Sequence, residues 1–172
     1  MPKFEVDIRD FLRTGEFGPI RLGMTKTEVE LLLSKPRYWG GHLPPGVWEE
    51  GMSYNDCPIW EYDSMEFHFG YKGQLFLIHC DHLDWLENAG DTFSLKRWVF
   101  ETHPLTLEQL EQALKEEQID YIHEKPVWFG ELLTEGDVEI AYEYDDSSTV
   151  AAISNYDGSY VGMPDNPEDD AT

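Results

Sequence analysis

The residues best suited to chemistry in this sequence are Glu66, His68, His79 and Asp81, with His82 beside them. Imidazole nitrogens and carboxylate oxygens are ligands for Zn²⁺ and related divalent ions. The two segments that carry them read as strands. Ser64-Met65-Glu66-Phe67-His68-Phe69 alternates between polar and apolar, and Gln74 to Asp81 returns after the turn signal Lys72-Gly73. With a two-residue turn there, Phe69 faces Phe76, Phe67 faces Ile78 and Met65 faces Cys80 on an apolar side. His68 then pairs with Leu77 and Glu66 with His79, so the four candidates share the other face. They fit a divalent metal site. They equally fit an ordinary cross-strand pair of Glu66 and His79. No His-Glu-x-x-His or Cys-x-x-Cys supports the metal reading by motif. Apart from that possible metal, no cofactor is expected.

Other chemistries lack their spacing. There is no Gly-x-Ser-x-Gly elbow for a nucleophilic serine. Gly70-Tyr71-Lys72-Gly73 has neither the spacing of a phosphate loop nor a helix after it. Cys57 and Cys80 are too few for a disulfide framework. No signal peptide or membrane-spanning apolar run is visible, so the expected compartment is the cytoplasm, with both thiols reduced.

The charge excludes more than the motifs do. The 172 residues include 35 Asp or Glu and 12 Lys or Arg, a net charge of −23. Such a chain is poorly suited to neutralising phosphates or docking on anionic lipid, so nucleic acid and membrane are not expected partners. With 41% hydrophobic and 14% aromatic residues it can still build a core. The excess is local. Residues 1–40 are nearly balanced, with seven bases and six acids. From residue 126 to the end there are 12 acids and no Lys or Arg. Residues 162–172 are acidic, carry two prolines and read as a disordered tail.

The elements that must position these residues come in two similar sets. Asp7 to Leu12 reads as a short helix closed by Thr14-Gly15. Thr25 and Glu28 form a capping box for a helix that ends before Pro36. Residues 37–58 read as a long Gly/Pro/Trp-rich connection. Strands follow at 59–62, 64–69 and 74–81. Phe93 to Phe100 reads as a strand or a short irregular piece. Thr106 and Gln109 then repeat the capping logic for a helix to Glu117. Strands follow at 119–123, 128–133, 138–144 and 149–154. Met65 to Phe69 matches Val138 to Tyr142 in pattern, and Leu75 to His79 matches Val150 to Ser154. The expected fold is α+β, a single domain over residues 1–161. It holds two tandem units, at about 14–90 and 100–160, each a capped helix before an antiparallel meander. The helices are expected on one face of the sheet.

The stretch Phe17-Gly18-Pro19-Ile20-Arg21-Leu22-Gly23-Met24-Thr25, with Glu28-Val29 and a Leu-rich turn ending at Pro36, resembles a group of small bacterial proteins of unknown function. Ile59 to Tyr62, Glu66 to Phe69 and Leu77 to His79 extend the resemblance. It implies no established activity. More distantly, the Gly-Met-Thr-x-x-Glu-Val helix entry looks like the repeat unit of the β-lactamase-inhibitor-protein-like fold, shared with an outer-membrane assembly lipoprotein. That likeness implies helices packed on an antiparallel sheet, and binding of proteins rather than catalysis. This chain departs from it in its longer loops and in lacking the lipoprotein signal.

The functional expectation is therefore a non-catalytic, acidic protein-binding module of immunity or inhibitor type, facing a partner with a basic surface. Trp39 and Trp48 in the long connection, with Glu139, Glu143, Asp145 and Asp146, are its candidate contacts. The acid is expected on the polar side of the second unit. The alternative is a metal-dependent enzyme or small-molecule binder that uses Glu66, His68, His79 and Asp81.

Overall fold

The computed structural model describes residues 4–40, 53–83, 86, 91–124, 129–144 and 148–162. The chain opens with β1 (Phe4–Asp7) and α1 (Ile8–Thr14). Asp7 caps this helix and Gly15 ends it in the left-handed region, where glycine is unstrained. α2 (Lys26–Leu33) starts at the capping box of Thr25 and Glu28. Next come β2 (Tyr38–Gly40), β3 (Ile59–Tyr62), β4 (Met65–Phe69) and β5 (Leu75–Cys80). β6 (Phe93–Lys96) lies alongside β1 in a separate parallel pair. α3 (Leu107–Glu117) carries the second capping box, Thr106 with Gln109. β7 (Tyr121–Glu124), β8 (Gly130–Thr134), β9 (Val138–Tyr142) and β10 (Val150–Tyr156) complete the order.

Eight strands form one antiparallel sheet in the order β2-β3-β4-β5-β10-β9-β8-β7. Two four-stranded meanders therefore meet at β5 and β10. The fold is α+β, with the helices on one face of the sheet. Val29, Leu33, Leu110 and Leu114 from the helices join one core with Trp60, Phe67, Ile78, Ile140 and Ile153 from the strands. Phe17 sits at the centre of the aromatic packing, edge-on to Phe11, Phe67 and Phe93.

The halves share equivalent hydrogen bonds where each helix meets its hairpin. Lys26 N donates to Gly73 O, and Leu107 N donates to Ser148 O. Leu75 N donates to Met24 O, and Val150 N donates to Leu105 O. In each half the residue before the helix is thus stitched to the start of the last strand. Each hairpin also carries a bulge at the equivalent place, with Phe69 opposite Leu75 and Tyr142 opposite Val150. Ile78 pairs with Asn155 and Cys80 with Ile153, so exchanging the halves reproduces the central ladder about His79 and Ser154.

The bulge corrects one expected register. Glu66–His79, Phe67–Ile78 and His68–Leu77 pair as the alternation implies, but Phe69 faces Leu75 instead of Phe76. The reason is the turn. Gly70 N bonds Gln74 O and Gly73 adopts φ +69°, so the loop is longer than two residues. The slip lets both Phe69 and Leu75 reach the core. Phe93 to Phe100 divides into β6 and a 3₁₀ turn at Trp98–Glu101. β1 and β2 are strands that the sequence reading did not contain. Beyond Gly162, the expected tail lies outside the described residues.

Candidate protein-interaction face

Alternation gives every strand of the large sheet a second face, turned away from the helices. One row of neighbours crosses all eight strands there: Tyr38, Glu61, Glu66, His79, Ser154, Glu139, Leu133 and Ile122. At strand spacing the row is roughly 34 Å long. Ile59, His68, Leu77 and Tyr156 form a second row on one side of it. Ala152, Ala141, Glu131 and Glu124 form a third on the other.

None of the eight strands contains Lys or Arg. All five of their carboxylates, Glu61, Glu66, Glu124, Glu131 and Glu139, point to this outer face. Apolar side chains lie between them. Ile122 is 59% exposed, Tyr156 51% and Tyr38 64%. The sheet thus presents negative charge interleaved with hydrophobic surface.

The carboxylates are not electrostatically comfortable. Burial, then the charge of Glu66, raises the pKa of Glu61. Burial and neighbouring glutamates raise Glu131, and burial and Glu124 raise Glu139. Glu66 is the exception. It bonds His68 Nε2 at 2.7 Å, and this hydrogen bond holds its pKa below the usual value. His79 is pushed down, chiefly by burial, towards its neutral form.

The four residues expected to share a metal do not converge. Glu66 is committed to His68, the His68 and His79 ring centres are 6.4 Å apart, and Asp81 lies past the end of β5 beside His82. Among the described residues no three His, Cys, Asp or Glu side chains are grouped to hold a metal. The expected partner contacts divide as well. Glu139 is on the outer face, and Glu143 is exposed just beyond β9. Trp39 pairs with Trp60 and packs on Tyr54, which places it at the sheet edge on the helix side. Trp39 and Glu139 therefore belong to opposite faces. Trp48, Asp145 and Asp146 lie outside the described residues.

The sequence reading missed Glu61, Glu124 and Glu131 as members of the face. Their signal was available in the parity shared with buried neighbours: Trp60 and Tyr62 flank Glu61, and Gly130 and Leu132 flank Glu131. The strand order that joins the two units into one surface was not readable locally.

No described helix is long and apolar enough to cross a membrane. No protein-family model matches the chain, and no curated protein matches it in sequence. A solved structure of a DUF4309 family protein (YjgB) from Bacillus subtilis subsp. subtilis str. 168 is similar at a TM-score of 0.41 and 11% identity. The match covers 86% of this chain and 92% of that one. A likeness this weak carries no argument about function.

Proposed function

We propose that this chain is a protein-binding module, and that the outer face of its large sheet receives a basic protein surface. The observation that carries this reading is the concentration of five glutamates, from strands that contain no Lys or Arg, on the face turned away from the helices. Opposite potentials speed encounter and select partners. A basic partner would also offset the charge of neighbouring glutamates, which adds to burial in raising Glu61, Glu131 and Glu139. Ile122, Leu133, Leu77 and Tyr156 add apolar area to be buried. An immunity or inhibitor protein of the cytoplasm, silencing a basic target, fits this description without any catalytic group.

The test is affinity capture with matched charge variants. Glu66→Gln/Glu131→Gln/Glu139→Gln removes three charges from the face. Glu108→Gln/Glu116→Gln/Asp10→Asn removes three from the helices. The expected result is a basic protein captured by the native chain and the helix variant, released by salt, and lost from the face variant. Equal capture by both variants contradicts the proposal.

A further inference from the structure

A pocket of about 610 Å³ opens beside the β4–β5 turn, and none of the five strand glutamates is among its lining residues. Pro58, Phe69, Tyr71, Phe76 and Val161 give it an apolar wall. Its polar lining comes from Lys26, Asn55 and Asp56. Lys26 reaches in from the first turn of α2. Its ammonium donates to Asn55 O at 2.5 Å and Cys57 O at 2.9 Å, the carbonyls on either side of Asp56. It also lies 5.8 Å from the Trp60 ring centre and 5.6 Å from that of Phe69.

An ammonium has three donors, and the two carbonyls take two of them. Among the described residues no acceptor is bonded to the third, which can meet a ligand. Asp56 uses one carboxylate oxygen to accept from Ser53 N, and among the described residues none donates to the other. A cation and an anion thus both line an apolar pocket. Its far wall is set by a close backbone approach. Tyr71 N donates to Val161 O at 2.9 Å, and a Cβ on Gly70 would fall 2.3 Å from Tyr160 O. Only glycine allows that contact.

We propose that this pocket binds a zwitterion with an apolar body, a free α-amino acid bearing an aromatic or branched side chain. Its carboxylate meets Lys26, its ammonium meets Asp56, and its side chain packs on Phe69, Tyr71 and Phe76. Overall neutrality matters here. A chain of net charge −23 repels a simple anion at long range, but not a ligand whose charges cancel. The size and mixed lining are those of a small-molecule site.

The experiment is calorimetric titration of L-phenylalanine into the full chain. Phenylacetate, which lacks the ammonium, and phenethylamine, which lacks the carboxylate, are the comparison ligands. Saturable binding of phenylalanine is expected, with each comparison ligand weaker by about tenfold or more. Lys26→Met and Asp56→Asn should each weaken phenylalanine to a similar degree. Gly73→Asn provides a variant that leaves the bonds of the Lys26 ammonium alone. Asparagine tolerates the φ of +69° there, and a Cβ at that position meets nothing within 4 Å. Its side chain should block the pocket while circular dichroism stays native. Absence of saturable heat overturns the proposal. So does phenylacetate binding as tightly as phenylalanine, or unchanged binding in both Asp56→Asn and Gly73→Asn.

Discussion

His79 and Ser154 stand opposite each other where β5 meets β10, and one strand further out on either side are Glu66 and Glu139. The pair marks the centre of a sheet whose two meanders are related by exchange of halves. It places a half-buried, neutral-leaning imidazole between two carboxylates of different character. Glu66 is held ionised by His68, whereas burial makes Glu139 resist ionisation.

The equivalence of the halves predicts equivalent costs. Thr25 and Thr106 each accept a helix amide through the side chain at 3.3 Å, and each is bridged to the start of the following hairpin strand. Thr25→Ala and Thr106→Ala should each destabilise the fold by about 1 kcal/mol. Urea unfolding measures both, and the two values should agree closely.

Glu139 should be better neutral than charged in the folded state. Its folded pKa is raised, so the folded state holds its proton more tightly than the unfolded chain does. The stabilising protonation is therefore lost as pH rises through that raised value. Glu139→Gln should raise the melting temperature by about 1–3 °C near neutral pH. The gain should vanish at a pH well below about 4, where both forms are uncharged.

Asp7 shows the opposite sign. Hydrogen bonds from Arg9 hold its carboxyl below the usual range despite burial. The stability it adds is present above the unfolded carboxyl value and is lost as pH falls through the lowered one. Arg9 also bonds Glu117 at the end of α3 at 3.0 Å. Arg9→Met should lower the melting temperature near neutral pH, and the difference from the native chain should shrink in acid. Thermal melts across the acid range separate this from the Glu139 effect.

Salt should stabilise the free chain. Most of the net charge of −23 is unpaired repulsion, which screening weakens. Raising sodium chloride from about 0.01 M to about 0.5 M should increase the melting temperature. A decrease would mean that the arginine pairs of α1, and not the repulsion, dominate the electrostatics.

The elements themselves were legible because each carries a local cue. Thr25 with Glu28 and Thr106 with Gln109 announce helix starts, and the alternation of Met65–Phe69 and Val138–Tyr142 announces strands. The pairing of Glu66 with His79 followed from the same alternation. Three features were not legible. The bulge at Phe69 comes from the closure of Gly70 N on Gln74 O, a longer loop than the two-residue turn that Lys72-Gly73 suggests. β1 pairs with β6 in parallel, across a separation that no local pattern encodes. The acidic face exists because β5 pairs with β10, and the parity of Glu61 and Glu131 becomes a common surface only through that ladder.

The central claim is that the outer sheet face is the binding surface. Amide hydrogen exchange of the partner-bound and free chain tests it most directly. Slowed exchange is expected in the residues around Glu61, Glu66, Glu131 and Glu139, with α2 and α3 unchanged. Protection confined to the helices, with the sheet unaffected, would contradict it.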